Sequence, residues 1–422
     1  MSVYRAVLPV ILASLVFQLG NGLMTTLLSL RLDIAGFSTQ IAGLVSAAYY
    51  AGLLLGTRVS QDLIFRVGHI RAFAAFAAIA GTTMLLHAMF VDPLVWCILR
   101  AIAGYSLAAL FIVMESWLNM AARNENRGRV FSLYMVANYA AIGLGQLFLI
   151  VYGARGFEAF SLATILVLLA IVPVCLTRQA VPAQGTVSRL TLRQLFVASP
   201  LGIVASFGSG ALLAPLYALV PIYGRQAGLN VTEISIWMAA IIFGGFILAW
   251  PLGRLSDRMD RRRILLAVCL GLSGAATFLA ASSGDDLRLL LAAGAVYGGM
   301  AFAVYPIGVA HTNDFLPAED AVAATGGLLL AFGLGAVMGP IGAAALMDAV
   351  GRNALFYYSS AGAVALAAFT LWRMRVRGPA PDLDKTIFVP MTTTTPAPLQ
   401  LDPWTEAASE AVAEPSAQGQ QP

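Results

Sequence analysis

The segment GRLSDRMDRRR (residues 253–263) carries two aspartates and five arginines between two long apolar runs. A segment of the same length, QDLIFRVGHIR (61–71), lies 192 residues earlier and is also flanked by apolar runs. At this offset Arg66 aligns with Arg258, so basic residues of the two segments keep a common spacing. The pairing predicts that the chain consists of two copies of one structural unit in parallel orientation.

The repeat extends beyond these two segments. With a shift of 194 residues, Gly104 aligns with Gly298 and Asn119 aligns with Asn313. The longest polar connection, TRQAVPAQGTVSRLTLRQLF (177–196), separates the two copies. The end of the chain is rich in Pro, Thr, Ala and Glu and has no helical periodicity, which is typical of disorder. We therefore expect four parts: a first half at 1–177, a cytoplasmic linker at 178–196, a second half at 197–377 and a disordered cytoplasmic tail at 378–422.

The composition indicates a membrane protein. Of the 422 residues, 59% are hydrophobic and 11% are charged, whereas soluble proteins average about 25% charged residues. A helix needs roughly 20 apolar residues to cross the hydrocarbon layer. We count twelve such runs and predict an all-α membrane protein of twelve transmembrane helices in two six-helix halves, with the runs at 7–30, 41–60, 72–91, 94–119, 130–152, 158–177, 197–222, 233–252, 264–282, 288–311, 322–347 and 354–372.

The basic residues predict the orientation, because loops that remain in the cytoplasm carry the excess of Lys and Arg. With the N-terminus inside, nineteen basic residues fall on the cytoplasmic side, five fall outside, and Arg100 lies within the fourth run. Both termini are therefore expected in the cytoplasm. The net charge of +4 reflects the basic residues of the cytoplasmic loops, so no nucleic-acid partner is needed to explain it.

Two short motifs resemble the major facilitator superfamily. Residues 253–262 follow its loop pattern G-x-L-x-D-R-x-G-R-[KR], with Asp260 in the position of the second glycine. Arg100 and Gly104 match its fourth-helix pattern R-x-x-x-G. The resemblance covers about residues 1–377. It implies two six-helix halves that transport a solute by alternating access in a bacterial-type inner membrane.

Three further stretches resemble the YcaD-like branch of that superfamily: LGNGLMTTLLSLR (19–31), FRVGHIRAFA (65–74) and ESWLN…NRGR (115–129). Members of this branch are named as transporters with no settled substrate. The resemblance therefore implies transport and leaves the solute open.

Away from the ends of the apolar runs only two residues carry a full charge, and both belong to the fourth run. Burying such a group costs at least about 2.5–3.5 kcal/mol at the helix centre, so each needs a reason. Arg100 is interpreted as an anion or proton-coupling site, with snorkelling to the outer interface as the alternative. Glu115 lies about 22 Å further along the helix, too far to touch Arg100.

For Glu115 two roles remain open. It could carry a proton, because burial favours the neutral carboxyl. It could also close an inward gate by pairing with Arg66, Arg71 or His69, as acidic residues near this end of the fourth helix do in the superfamily. We favour the gate. In the second half, Asp257, Arg258 and Arg262 are the gate candidates, with lipid anchoring as their alternative.

Uncharged polar residues in the runs are expected to line a central cavity, although such residues also tie membrane helices together. The substrate or coupling candidates besides Arg100 are Gln18, Asn21, Tyr49, Asn138, Tyr139 and Tyr305.

The leading interpretation is a secondary active transporter that moves a small, uncharged or weakly anionic solute, coupled to protons. A drug or metabolite exporter working by proton antiport is one alternative, and a membrane-embedded receptor or sensor is another. No Walker-type loop, paired catalytic carboxylates or metal-ligand spacing appears, so we expect no enzyme activity, no cofactor and no metal. The expected partners are a small solute, protons and lipids, and the expected state is a monomer.

Overall fold

A computed structural model describes residues 3–122, 126–177, 191–282, 286–317 and 320–378. The predicted tail from residue 379 onward and residues 178–190 of the predicted linker lie outside these described residues.

The described residues form fourteen helices, of which α6 and α7 together make one span. Pro173 explains the break between these two helices, because its ring clashes with the carbonyl of residue 169 in a regular helix. Twelve spans are long and apolar enough to cross a membrane, which confirms the predicted number. The helices are α1 Val3–Ile34, α2 Thr39–Val67, α3 His69–Met89, α4 Pro93–Ala121, α5 Arg127–Tyr152, α6 Glu158–Leu169, α7 Ile171–Cys175, α8 Leu192–Ala198, α9 Pro200–Gln226, α10 Val231–Arg258, α11 Arg261–Ala281, α12 Leu287–Asn313, α13 Ala321–Val350 and α14 Ala354–Val376.

The helix boundaries reproduce the sequence repeat. Helix α2 begins at Thr39 and α10 begins at Val231, 192 residues later. Helices α3 and α11 begin at His69 and Arg261 with the same separation, and α4 and α12 keep the separation of 194. The two halves, α1–α7 and α9–α14, are therefore built on one plan.

Equivalent glycines allow equivalent helix contacts in the two halves. A Cβ atom on Gly52 of α2 or Gly104 of α4 would collide with the backbone of the other helix. The same holds for Gly244 of α10 and Gly298 of α12. Small residues let membrane helices approach closely, which replaces the hydrophobic driving force that lipid does not supply. The alignment of Gly104 with Gly298 thus reflects a shared packing requirement.

The second half begins with a short helix that the sequence analysis did not anticipate. Thr191 and Gln194 cap α8 reciprocally, since each side chain accepts a hydrogen bond from the other's backbone N–H. Pro200 then disfavours helical geometry at Ser199, and Ser199 caps α9. The seventh span therefore begins at Pro200, and the predicted boundary between linker and second half, at 196, falls inside α8.

The halves meet along α2 with α13, α5 with α10 and α1 with α9. We call the end of the bundle that carries the α2–α3 and α10–α11 junctions the basic end, and the other the opposite end. At the opposite end, Arg225 of α9 donates to the carboxylate of Asp33 on α1, with 3.0 Å between Nε and Oδ2. These two residues are 192 apart, so the contact joins equivalent positions of the repeat.

Candidate functional site

A central cavity lies between the two halves. The space open to the centre of a water molecule is about 150 Å³, room for on the order of ten waters. Its lining on α1 runs from Gln18 to Leu32, so the cavity occupies the middle of the bundle and the part nearer the opposite end. Helices α1, α2, α4 and α5 contribute from the first half, and α9, α12 and α13 from the second.

Arg100 is the charged residue of this cavity. Its side chain comes from α4, and the residue is only 7% exposed. The guanidinium carbon lies 3.9 Å from the centre of the Tyr49 ring, a cation–π geometry. Its Nε–H is buried without an acceptor, and no described residue accepts a hydrogen bond from the guanidinium group. No Asp or Glu is among the described residues that line the cavity.

A polar wall faces Arg100 from α1 and α5. Asn21 donates from Nδ2 to Oε1 of Gln18 at 3.2 Å, one turn away on the same helix. Ser14 donates to Oδ1 of Asn138 at 2.7 Å and so connects α1 with α5. Because Gln18, Asn21 and Asn138 all line the cavity, this wall offers amide donors and acceptors to a solute.

Aromatic residues of both halves form another part of the cavity lining. The Phe302 ring of α12 lies 5.9 Å from Tyr139 of α5 and 6.1 Å from Tyr217 of α9, both edge to face. Phe332 of α13 also lines this side. Edge-to-face rings of this kind stabilise each other beyond the area they bury. The cavity is therefore polar and basic on one side, and apolar and aromatic on the other.

Six of the seven predicted substrate or coupling residues line this cavity: Gln18, Asn21, Tyr49, Arg100, Asn138 and Tyr139. Tyr305 does not. It is fully buried behind the cavity wall, where its ring packs 5.4 Å from Phe332. Neighbouring helical side chains diverge by about 100°, and it is the next residue, Pro306, that faces the cavity.

A small second cavity on the far side of Arg100 contains a histidine that the sequence analysis passed over. His87 of α3 lies 5.6 Å from the ring of Trp96, and its Nδ1 is 2.5 Å from the carbonyl oxygen of Thr83. Its Nε2 is buried without a partner. Arg100 and Asn21 line both cavities. His87 and Arg100 belong to helices that follow each other in the sequence, but only packing brings them to one space.

At the basic end, the α10–α11 junction (residues 253–263) forms a buried charge cluster. Arg261, the first residue of α11, has a side chain that is only 1% exposed. It donates to Asp257 of α10 at 2.9 Å and to Asp314, just after α12, at 2.8 Å. Sequence analysis named Asp257 as a gate candidate but did not single out Arg261 or Asp314, since nothing local distinguishes Arg261 from its basic neighbours.

Asp260 and Arg262 form a second pair in the same junction. Asp260 caps α11, and Arg262 donates from Nη2 to its carboxylate at 2.7 Å. Burial alone would raise the pKa of Asp260, but the hydrogen bonds and charge of Arg262 outweigh it and lower that pKa. Arg258 is different: it is exposed and forms no ion pair with any described residue.

The α2–α3 junction (residues 61–71) contains no comparable cluster among its described contacts. Arg66 and Arg71 are exposed, and neither is paired with Glu115. His69 is buried with Nδ1 unpartnered, and it is not paired with Glu115 either. Glu115 is fully buried and accepts a hydrogen bond from the Tyr134 hydroxyl of α5 at 3.3 Å. The expected pairing of Glu115 with the α2–α3 junction is not formed in this structure, where the carboxylate contacts α5, and a role of Glu115 in the gate stays a prediction.

Known proteins are similar to this chain in sequence and in fold. Residues 10–250 and 201–413 match the sequence profile of the Major Facilitator Superfamily. The chain is 31% identical over 365 residues to "Uncharacterized MFS-type transporter YcaD" of Salmonella enteritidis PT4 (strain P125109), covering 84% of this chain and 93% of that protein. The protein of the same description from Escherichia fergusonii is 29% identical over 361 residues, with the same coverage.

Solved structures agree on the fold. A mutant of the nucleoside transporter NupG superposes with a TM-score of 0.75 at 13% identity, covering 87% of this chain and 99% of that chain. A D-xylose–proton symporter superposes with a TM-score of 0.72 at 14% identity, covering 92% and 100%. The chain therefore belongs to the major facilitator superfamily: it is a multi-pass membrane protein, not an enzyme, and it transports a solute across the membrane.

Proposed function

We propose that this protein is a secondary active transporter that moves a small solute by alternating access, coupled to protons. The observation that carries the proposal is the cavity between the two halves, with Arg100 as the charged residue among its described lining. A site at the interface of two repeats can be exposed to either side when the halves rock against each other. The sequence offers no nucleotide-binding loop to drive the motion by hydrolysis.

The contacts between the halves support such a motion. At the opposite end, Asp33 and Arg225 join α1 to α9 through side chains that are 21% and 32% exposed. An ion pair that remains partly in water contributes little net stability and can open without a large penalty. We propose that this pair belongs to the gate at the opposite end, and that the basic end holds the other gate.

Proton coupling has two lines of support. The D-xylose–proton symporter, which shares this fold, is named for such coupling. In this chain, the buried carboxylate of Glu115 contacts Tyr134, and the Tyr134 carbonyl accepts a hydrogen bond from cavity residue Asn138 at 2.9 Å. A change of charge at Glu115 can therefore be transmitted to the cavity through one turn of α5.

The surroundings of the protein follow from its charge distribution. We propose a bacterial-type inner membrane with both termini in the cytoplasm, because nineteen basic residues then fall on the inner side. The basic end would then face the cytoplasm and anionic lipid headgroups. We propose a monomer as the working unit, since the two halves of one chain together line the central cavity.

The test of transport is counterflow in liposomes that contain the purified protein. A preloaded solute should accelerate uptake of its labelled form in the absence of any gradient, and an inward-directed proton gradient should then drive net accumulation. Binding of a solute without counterflow would contradict the proposal and favour a receptor or sensor.

The variant Arg100→Lys tests the role of Arg100 in the same counterflow assay. It keeps the charge, but a lysine ammonium cannot reproduce the planar fork of donors that stacks on Tyr49. We expect counterflow to fall by about tenfold or more, as for loss of a charge-assisted hydrogen bond. Arg58→Lys, at an exposed arginine of the same half, is the control and should transport normally. Unimpaired transport by Arg100→Lys would indicate that Arg100 has no part in binding.

A further inference from the structure

Arg100 presents hydrogen-bond donors that the protein does not use. A guanidinium group has five N–H donors and is always charged. Buried polar groups are nearly always hydrogen-bonded, and an exception in a native structure needs an explanation. Only 7% of the surface of Arg100 is exposed, so the residue is more than nine-tenths buried. No described residue accepts a hydrogen bond from it. The unused donors adjoin a cavity that is large enough for a solute.

The charge of the cavity is also unbalanced. The described lining contains one arginine and no carboxylate. The face of the Tyr49 ring attracts the guanidinium, but a neutral ring does not cancel its charge. A buried charge is strongly unfavourable unless a counter-charge accompanies it. The site as it stands is therefore complementary to one negative charge.

From these two features we infer that the transported solute is an organic monoanion, a monocarboxylate with a small apolar body, whose carboxylate binds Arg100. The inference rests on the proposed transport function and specifies its solute. A planar carboxylate matches the donor fork of arginine and can accept two parallel hydrogen bonds.

The walls of the cavity define the remainder of the solute. The rings of Tyr139, Tyr217 and Phe302 pack edge to face and line the cavity, so they offer aromatic carbon surface to the body of the molecule. Asn21 and Gln18 lie on the polar side and can bind one hydroxyl or carbonyl group. The space of about 150 Å³ open to the centre of a water molecule has room for a small body, such as a single ring or a short branched chain.

The same charge balance argues against other solutes. An amino acid or another zwitterion would bring an ammonium group to a described lining that has no carboxylate to receive it. A dicarboxylate or a phosphate dianion would carry a second negative charge with no second cation among those residues. A neutral sugar would leave the guanidinium without a counter-charge.

The experiment is a thermal-shift titration of the full-length protein in detergent with matched probes. Benzoate and isobutyrate are the monoanions, benzamide and isobutyramide are their neutral counterparts, benzylamine is the cation and phthalate is the dianion. A ligand that binds only the folded protein raises the melting temperature with its concentration. We expect the apparent Kd of a carboxylate to be about tenfold or more below that of its amide.

Two variants identify the group responsible. Arg100→Gln should abolish the preference for carboxylate over amide, while Arg58→Gln, which removes an exposed arginine of the same half, should retain it. If Arg100→Gln does not fold, the comparison of carboxylate with amide on the wild-type protein still decides the matter. Equal binding of the two, or no shift with any carboxylate, would overturn the inference.

Failure of the inference can be told apart from failure of the transport proposal. Counterflow of a neutral solute, unaffected by benzoate or isobutyrate, would overturn the monoanion and leave the transporter intact. Counterflow of a labelled carboxylate that is lost in Arg100→Gln and kept in Arg58→Gln would support both.

Discussion

The two junctions at the basic end occupy equivalent places in the repeat, yet they differ in chemistry. In the second half, Arg261 at the start of α11 is buried between two aspartates. In the first half, His69 at the start of α3 is buried with Nδ1 unpartnered. Gly68 precedes it with a φ of 89°, whereas Asp260 caps the equivalent helix. A positive φ is readily adopted only by glycine.

The comparison shows that helix packing and the ionic cluster are separate features: the repeat preserves the first in both halves but not the second. Helix lengths and glycine contacts are common to both halves, because close packing of spans is needed wherever helices cross. The ionic cluster is confined to the second junction among the described contacts, because it depends on Asp257 where the first half has Phe65. The halves can therefore share a scaffold while, among the described contacts, this ionic cluster is present at only one of the two junctions.

The strongest test of this contrast is Arg261→Met. The substitution leaves Asp314, whose side chain is 2% exposed, without its arginine partner. Removing one member of a buried ion pair typically costs about 3–5 kcal/mol. We expect a large fall in the free energy of unfolding in detergent. His69→Met at the equivalent position is the matched control and should cost much less, and equal losses would contradict the asymmetry.

Glu115→Gln examines the buried acid of the first half. If Glu115 holds the gate at the basic end, loss of its charge should weaken the closed state by about 1.5–3 kcal/mol, a tenfold or larger shift. Gradient-driven uptake should slow while counterflow persists, and cysteine labelling near Asn119 should rise. Abolished gradient-driven uptake with unchanged labelling would instead assign Glu115 to proton transfer.

Asp260→Asn tests the charge of the second junction through pH. Because the pKa of Asp260 is lowered in the folded protein, its stabilisation is complete above the ordinary value of 3.8 and is lost as the pH falls through the folded pKa. We expect wild-type melting temperature to fall more steeply than that of Asp260→Asn below about pH 4. Asparagine can still cap α11. Identical pH profiles would exclude this contribution.

Arg66→Gln and Arg258→Gln should have the smallest effects. Both residues are exposed, they align in the repeat, and neither forms an ion pair with a described residue. Surface substitutions of this kind change the free energy of unfolding by about 0.5 kcal/mol or less. Chemical denaturation of the two variants side by side would reveal any difference. A large loss in either one would mean that an exposed arginine supports its junction after all.

Much of the site could be predicted from the sequence, because each polar or charged side chain in a transmembrane helix has a free-energy cost that can be recognised from that residue alone. Arg100 stood out as one of two fully charged residues away from the ends of the apolar runs, and it lines the cavity. Tyr305 was misplaced, because an uncharged tyrosine in a span can face either a cavity or a neighbouring helix. His87 was overlooked for the same reason, since nothing local relates it to Arg100.

The sequence by itself determined the twelve spans, the two-fold repeat and the superfamily, because hydrophobic length, basic punctuation and glycine spacing are local properties. Only the tertiary structure decided the partners of the charged groups. Arg261 reaches Asp314 across 53 positions in the chain, Glu115 contacts Tyr134, and Arg100 receives no acceptor from any described residue. The physical reason is that ionic and hydrogen-bonded pairs form over a few ångströms of space, and in a helical bundle that proximity is set by how the helices pack.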